Sequence, residues 1–287
     1  FEEKYGGSGD DGGDVLSYIL AVEELAKYDA GVAITLSATV SLCANPIWQF
    51  GTEAQKEKFL VPLVEGTKLG AFGLTEPNAG TDASGQQTVA VKNDDGTYTL
   101  NGSKIFITNG GAADIYIVFA MTDKSKGNHG ISAFIVDKDD PGFSIGKIEH
   151  KMGIRGSQTS ELIFEDVHLP ADRLLGKENG GFKIAMMTLD GGRIGIAAQA
   201  LGIAQGALDK AVQYMKERVQ FGKTLDKFQG LQWMVADMAT QIDAARLLVR
   251  RAAFNHDVGL PFTKEAAMAK LYASEVAMDV TTRCAQI

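Results

Sequence analysis

The segment 71–82, with the sequence AFGLTEPNAGTD, concentrates residue types that suit ligand binding. Small residues, one proline and short hydroxyl or carboxyl side chains follow one another in what we expect to be a loop before strand-like sequence. Gly73 and Gly80 permit close backbone approach, and the hydroxyls of Thr75 and Thr81 can bond a flat heterocycle or a phosphate. An ordinary surface loop uses the same residue types, so this segment alone leaves both interpretations open.

The composition is that of a soluble globular enzyme. The 287 residues, 45% hydrophobic and 22% charged, suffice for one large domain or two to three smaller ones. The net charge of −8 disfavours binding to nucleic acid or to an anionic membrane. Cys43 and Cys284 form no cluster, which favours reduced thiols over a disulfide, and the four histidines lack metal-like spacing, so no metal is predicted. Since we find no signal peptide and no apolar run near the roughly 20 residues of a membrane span, we expect a cytoplasmic protein.

The apolar periodicity changes twice along the chain, from helical to strand-like and back to helical. The dipeptides Asp95-Gly96 and Asn101-Gly102 are both typical of hairpin turns, and Thr263 is the expected N-cap of the last helix. The predicted strands are 88–92, 98–100, 104–108, 115–121, 131–136, 143–148 and 161–164. The predicted helices are 14–28, 52–63, 182–219, 231–255 and 264–287. This order predicts an α+β protein.

Four motifs together resemble those of the acyl-CoA dehydrogenase family, above all its bacterial short-chain (butyryl-CoA) members. The motifs are 72–81 (FGLTEPNAGT), 101–110 (NGSKIFITNG), 189–193 (LDGGR) and 217–223 (ERVQFGK). Four motifs in the family's order are far more specific than one glycine-rich loop. The domains that the resemblance implies are a partial N-terminal helical domain at 1–69, a central β-barrel-like or sandwich domain at 70–176 and a truncated C-terminal four-helix bundle at 177–287.

The resemblance also implies a reaction. The family uses FAD to remove an α-proton and a β-hydride from an acyl-CoA thioester, and it passes the electrons to an electron-transfer flavoprotein. A short-chain acyl-CoA would become the trans-2-enoyl-CoA. The residues implied to contact FAD are Phe72, Gly73, Leu74, Thr75, Gly80, Thr81, Phe106, Ile107, Thr108, Arg218, Phe221, Gln229 and Gln286. Those implied to contact the substrate are Thr81, Ser132, Asp190 and Arg193.

Each of these roles has a purely structural alternative. Phe106 could lie in the core of an alternating strand, with Thr108 as an ordinary β-branched strand residue. Arg218 could lie at a solvated helix end, Ser132 could be a strand hydroxyl, and Asp190 could be a surface residue. The residues themselves leave these alternatives open, and the resemblance favours the flavin and substrate roles.

Family membership would also imply an assembly and a substrate size. The equivalents of Arg218, Phe221 and Gln229 reach the FAD of a neighbouring subunit in relatives, so we expect a homotetramer in which an arginine neutralises the pyrophosphate. The segment 34–40 corresponds to the family helix that closes the acyl pocket. A preference for four-carbon substrates follows from the butyryl-type likeness alone.

The catalytic base is where this sequence departs from the family. Most relatives use a glutamate in a Tyr-Glu-Gly-Thr segment near the C-terminus, and this chain contains no such segment. A minority carry the base immediately before the arginine that Arg193 matches, where this chain has Gly192, and the side chain of Asp190 is too short to replace it. We therefore expect a fragment without the ends of the family's chain and without its catalytic residue. An acyl-CoA oxidase and a non-catalytic FAD- or CoA-binding protein are the alternatives.

Overall fold

The computed structural model describes residues 1–8 and 13–287, so part of the glycine-rich stretch at 6–13 lies outside the described residues. The chain forms two compact units. Unit 1 comprises Phe1–Gly13 and Thr35–Leu189, and unit 2 comprises Asp14–Ile34 and Asp190–Ile287. The predicted α+β class, with helices before and after a sheet, is confirmed. The three predicted domain ranges stay a prediction.

Capping side chains fix where the N-terminal helices begin. Asp14 caps the first helix by accepting a hydrogen bond from the backbone N–H of Ser17. Thr52 and Gln55 form a capping box at the start of the second helical run, which supports both predicted helices. The helical elements are α1 (Val15–Tyr28), α2 (Ala30–Ser37), a π-helical stretch at Ala38–Ala44, α3 (Asn45–Phe50), α4 (Glu53–Gln55), a π-helical stretch at Lys56–Leu60 and α5 (Val61–Val64).

The continuous helical run Ala30–Phe50 corrects one expectation. It has 21 residues, and its most apolar 18-residue window has a mean hydropathy of 1.5, so by length and composition it could cross a membrane, although no such run was expected. Short polar residues such as Thr35 and Ser37 interrupt the apolar residues, so the sequence shows no uninterrupted apolar run of this length. Of its most apolar window, 56% is buried inside the protein, as in a core helix.

Unit 1 contains an eight-stranded sheet of order β6-β7-β3-β2-β4-β5-β8, and β1 pairs in parallel with β4. The strands are β1 (Gly70–Gly73), β2 (Val89–Lys92), β3 (Tyr98–Thr108), β4 (Ile115–Met121), β5 (Ile131–Asp137), β6 (Phe143–Ile148), β7 (Thr159–Leu169) and β8 (Leu174–Leu175). The segment 71–82 was expected to be a loop throughout, but the loop begins at Leu74. Pairing with β4 extends residues 70–73 into a strand.

The second correction concerns Asn101 and Gly102, which do not form a hairpin turn. They lie inside the single strand β3, where the pairing with β7 shifts register between Leu100 and Gly102. Gly102 has φ of 142°, and a Cβ there would lie 2.6 Å from the Thr88 hydroxyl, so a bulge with glycine at this place explains the dipeptide. The other dipeptide is a turn, since the N–H of Gly96 donates to the Asn93 carbonyl.

Strand β4 lies at the centre of the unit 1 core because both of its faces are buried. Ile115, Ile117 and Phe119 pack with helical residues such as Ile47. The alternate residues of β4 pack on the opposite side with the rings and aliphatic side chains of β3, β5 and β7. This core holds the strand ends that carry the motif residues.

Unit 2 is a helical bundle with an alanine-rich core, formed by α1, most of α6 (Gly181–Glu217), α7 (Gln229–Asp257) and α8 (Thr263–Cys284). A small hairpin of β9 (Val219–Gln220) and β10 (Lys223–Thr224) follows α6. Thr263 was expected to cap α8, but Phe262 is the N-cap residue and Thr263 is the first helical residue. The Thr263 hydroxyl instead donates to Asp190 Oδ2 at 2.7 Å.

Both cysteines are free thiols, which removes the disulfide alternative. Cys43 lies buried in the π-helical stretch of unit 1, with its Sγ 3.6 Å from the Ile115 carbonyl oxygen. Burial raises the pKa of the Cys43 thiol to about 12, so the thiol is protonated at neutral pH. Cys284 is half-buried in unit 2.

Candidate functional site

A cavity of about 170 Å³ in unit 1 brings six of the predicted FAD-contacting residues together. They are Phe72, Leu74, Thr75, Phe106, Ile107 and Thr108. The remaining wall is formed by Ala38 and Leu42 of the π-helical stretch and by Leu189 of α6. Leu189 belongs to the motif 189–193 and Ala38 to the segment 34–40, but neither was predicted to contact FAD, and Leu42 lies outside both. Small and aliphatic side chains have no chemical signature that separates a cavity wall from a core. Helical spacing of Ala38 and Leu42, four residues apart, is the only signal that pairs them.

The end of β3 presents its residues to the cavity through a break in the strand's alternation. Lys104 and Ile107 are both buried although they are three positions apart in the strand, because the pairing with β7 shifts register between them. Phe106 takes the extra position with φ of 57°, and its side chain is 61% exposed. The alternative in which Phe106 lies in the core of an alternating strand is therefore wrong. Ile107 occupies the buried place instead.

The loop after β1 is folded around a buried ion pair. Lys104 Nζ lies 2.7 Å from Glu76 Oε1 and 3.2 Å from the Leu74 carbonyl oxygen, and both side chains are almost completely inaccessible. Burial lowers the pKa of Lys104 to about 8, against the attraction of Glu76. Burial alone would raise the pKa of Glu76, but the charge and hydrogen bond of Lys104 and the backbone N–H of Gln87 hold it below the ordinary value of a glutamate. Both groups remain charged at neutral pH.

Asn109, the residue after Thr108, connects the walls of the cavity. It is buried with φ of 62°, a conformation that asparagine tolerates better than most residues. Its side-chain amide donates to the Thr35 carbonyl oxygen at 3.0 Å and to the Gly70 carbonyl oxygen at 3.1 Å. The helix, β1 and the end of β3 are therefore fixed relative to one another. Sequence reasoning missed the roles of Asn109 and Lys104, although both stand in the motif 101–110.

The cavity lining is mainly apolar, with two hydroxyl groups from Thr75 and Thr108. A flavin ring needs apolar contact on its faces and a few polar groups at its edge, so these residues fit the predicted FAD. The lining includes no aspartate or glutamate among the described residues. In residues 1–8 and 13–287 no group of three or more potential metal ligands is found.

Other predicted residues of unit 1 lie outside this cavity. Gly80 and Thr81 are exposed on the loop, and Gly73 is buried in β1. Ser132 is fully buried in β5, where its hydroxyl lies 2.8 Å from Thr122 Oγ1 and accepts a hydrogen bond from the Asn179 N–H at 2.7 Å. Ser132 has no accessible surface in this structure, and its predicted contact with the substrate stays a prediction.

Two predicted substrate residues form a polar cluster in unit 2. Asp190 accepts a hydrogen bond from Arg193 as well as from Thr263, and Arg193 keeps 41% of its side-chain surface exposed. Asp190 is therefore a partner that orients Arg193. The position predicted for a base in a minority of relatives is Gly192, inside α6.

The predicted FAD-contacting residues of unit 2 are all exposed, and three of them, Arg218, Phe221 and Gln229, are predicted to reach a neighbouring subunit. Arg218 follows α6 directly, Gln229 begins α7, and Gln286 lies in the turn after α8. Phe221 has φ of 52° and a side chain that is 92% exposed, and its ring touches Phe228 edge to face with centroids 6.3 Å apart. A large ring held outwards in this way is available to another molecule.

Comparison with known proteins agrees with these observations. Family models of the acyl-CoA dehydrogenase N-terminal, middle and C-terminal domains match residues 1–67, 71–167 and 179–287. The short-chain specific acyl-CoA dehydrogenase of Megasphaera elsdenii is 78% identical over 287 residues, which are 100% of this chain and 75% of that protein. The solved structure of butyryl-CoA dehydrogenase from the same organism superposes with a TM-score of 0.98 at 78% identity, over 100% of this chain and 75% of that one.

A second solved structure, named for the electron transferring flavoprotein of Acidaminococcus fermentans, superposes with a TM-score of 0.97 at 66% identity. The match covers 100% of this chain and 74% of that one. The resemblance found in the sequence and the predicted FAD-dependent oxidoreductase are confirmed: the chain belongs to the acyl-CoA dehydrogenase family.

Proposed function

We propose that this protein oxidises short-chain acyl-CoA thioesters to trans-2-enoyl-CoA with FAD and passes the electrons to an electron-transfer flavoprotein. The observation that carries the proposal is the cavity of unit 1, which gathers residues from two separate sequence motifs around one mainly apolar space. The names of the matched relatives from Megasphaera elsdenii and Acidaminococcus fermentans support the short-chain substrate and the flavoprotein partner.

The cavity residues have distinct tasks in this proposal. Bound FAD supplies the acceptor for the β-hydride. Phe106, Phe72 and Leu74 offer apolar contact to its ring, while the Thr75 and Thr108 hydroxyls bond polar atoms at the ring edge. The apolar side chains of the remaining wall exclude water, which strengthens these hydrogen bonds.

Further residues complete the proposed binding surfaces. We assign Gly73, Gly80 and Thr81 to the remaining FAD contacts of the loop. Thr81 also contacts the substrate in this assignment, as do Asp190 and Arg193, with Asp190 holding the guanidinium in place. The exposed position of the loop residues leaves room for a ligand beside them.

The assembly belongs to the same proposal. Arg218, Phe221 and Gln229 contact the FAD of a neighbouring subunit in a cytoplasmic homotetramer, and Gln286 is a further FAD contact. Their exposure supports this, since an arginine and a phenylalanine left in solvent gain most from a partner surface. We retain the three predicted domains, 1–69, 70–176 and 177–287, as the functional division of the chain.

The test is a steady-state assay of the complete gene product, loaded with FAD, on acyl-CoA substrates of increasing length. We expect kcat/KM to be highest for the four-carbon thioester, because a shape-limited acyl pocket discriminates by roughly 1 kcal/mol for each extra CH2 that it cannot accommodate. Equal kcat/KM for four-carbon and twelve-carbon substrates would contradict the short-chain preference. Oxygen consumption equal to substrate oxidation, with no gain on adding an electron-transfer flavoprotein, would indicate an oxidase instead.

A further inference from the structure

Lys104 is a fully buried charge that the proposed chemistry does not use. Its Nζ donates to Glu76 Oε1, to Gln86 Oε1 and to the carbonyl oxygen of Leu74, so all three of its protons are bound. Two of these partners are side chains of the loop after β1, and the third is the backbone of a residue that lines the cavity.

Glu76 and Gln86 close the same loop from the inside. The Glu76 carboxylate accepts hydrogen bonds from the backbone N–H groups of Gln87 and Thr88. The Gln86 amide donates to the carbonyl oxygens of Leu74 and Ala83, each at 3.1 Å. The two ends of the segment 74–88 therefore converge on a single buried ion pair.

The ion pair also joins the two cavity walls that carry the motif residues. The N–H of Ile105, next to Lys104, donates to the Thr75 carbonyl oxygen at 2.9 Å. Lys104 stands two residues before Phe106, at the start of the bulge that turns Phe106 outwards. A shift of the lysine would move Leu74 and Thr75 together with the end of β3.

Stability alone does not account for a pair of this kind. Desolvation of two charges largely offsets their attraction, so a well-packed uncharged pair of the same size is often equally stable. What the uncharged pair lacks is the directed hydrogen bond from Nζ to the Leu74 carbonyl oxygen.

We propose that Lys104 and Glu76 are positioning residues that hold Leu74 and Thr75 in the conformation that binds FAD. This inference rests on the proposed FAD site, and it assigns to the pair a role separate from maintaining the fold.

The experiment compares Lys104→Met, Glu76→Gln and the double variant in the complete gene product. Each single change leaves one buried charge unpaired, so we expect the melting temperature to fall by about 10 °C. The double variant contains no buried charge, so its melting temperature should return to within a few degrees of the unaltered protein. Its FAD dissociation constant should nevertheless remain raised by about tenfold, because the bond to the Leu74 carbonyl oxygen is lost.

Hydrogen–deuterium exchange of the apoprotein gives a readout that does not depend on the cofactor. In the double variant, amides of the segment 74–88 should exchange several times faster, while β4 and β5 keep the rates of the unaltered protein. The matched control is a second buried ion pair of unit 1, Arg173 with Asp140 at 3.1 Å, which does not line the cavity. The double variant Arg173→Met with Asp140→Asn should leave FAD affinity unchanged.

A double variant of Lys104 and Glu76 that regains both FAD affinity and slow exchange would overturn the inference. An unaltered gene product that binds no FAD would instead contradict the proposed function. In that case the exchange rates of the segment 74–88 still decide whether the pair positions the loop.

Discussion

Thr108 lies at the end of β3, lines the cavity and carries a hydroxyl that was predicted from the sequence to contact FAD. We expect Thr108→Val to raise the FAD dissociation constant about five- to tenfold, since one neutral hydrogen bond contributes roughly 1 kcal/mol. Valine keeps the β-branched shape, so the unfolding free energy should change little. Flavin fluorescence titration measures the affinity.

Thr99→Val is the control on the same strand. The Thr99 hydroxyl bonds Asn93 at 3.3 Å and does not line the cavity, so this variant should bind FAD as the unaltered protein does. Equal affinities in Thr108→Val and Thr99→Val would remove Thr108 from the binding site.

At the scale of single residues, the sequence identified the residues that line the cavity better than the residues that hold them in place. Thr75, Phe106 and Thr108 were recognisable because motif and residue type agree. Lys104 and Asn109 act through partners far away in sequence, 28 residues for Glu76 and 74 for Thr35, and no local pattern encodes such pairs.

At the scale of secondary-structure elements, the bulge in β3 depends on the glycine at position 102. Gly102→Ala should destabilise the protein by about 3 kcal/mol, because it combines an unfavourable backbone conformation with a contact that the Thr88 backbone cannot relieve. Gly96→Ala is the matched control, since Gly96 has φ of 85° and open space around its Cβ position. It should cost about 1 kcal/mol from strain alone. Urea denaturation measures both, and equal losses would show that the bulge tolerates a side chain.

The connection between β1 and β4 gives a pH-dependent prediction. Burial alone would raise the pKa of Asp114, but the hydrogen bond and charge of Lys138 and the N–H of Leu69 hold it below the ordinary value of an aspartate. A carboxylate whose folded pKa is lowered stabilises the native state above its unfolded pKa, and this contribution is lost as the pH falls through the folded value. Asp114→Asn should therefore lose about 1 kcal/mol at pH 7 and show a smaller further loss towards pH 3.

Unfolding by urea at several pH values measures this dependence, with the exposed Asp139→Asn as control. Parallel pH profiles of Asp114→Asn and the unaltered protein would contradict the assignment. A difference that grows towards neutral pH is the expected result.

Most elements could be predicted from the sequence, because caps and periodicity are local signals. Asp14 and the capping box of Thr52 set helix starts that the sequence states directly. The hairpin expected at Gly102 and the cap expected at Thr263 failed because an Asn-Gly pair also suits a bulge and a threonine hydroxyl also suits a distant carboxylate. Only the partner strand or helix separates these outcomes.

At the scale of the whole molecule, the proposed tetramer links FAD binding to subunit association. If Arg218 contacts the FAD of a neighbouring subunit, binding and association are linked, and Arg218→Ala should weaken both. We expect sedimentation of the variant to show dissociation at concentrations where the unaltered holoprotein remains a tetramer, together with loss of flavin on gel filtration. Arg155→Ala, at an exposed arginine of unit 1, is the control.

A complete, FAD-saturated gene product that sediments as a monomer would refute this arrangement. Retention of both flavin and assembly in Arg218→Ala would remove the arginine from the contact and leave the exposed Phe221 as the residue to test next.

The buried thiol of Cys43 can report local opening of unit 1. Alkylating reagents need an accessible thiolate, and burial both hides the Cys43 thiol and raises its pKa. Modification of Cys43 therefore proceeds only through opening of unit 1, and burial of Cys284 in unit 2 raises its pKa as well. The labelling rate of Cys43, resolved by mass spectrometry from that of the half-buried Cys284, measures the opening free energy of unit 1 without denaturant or an introduced probe.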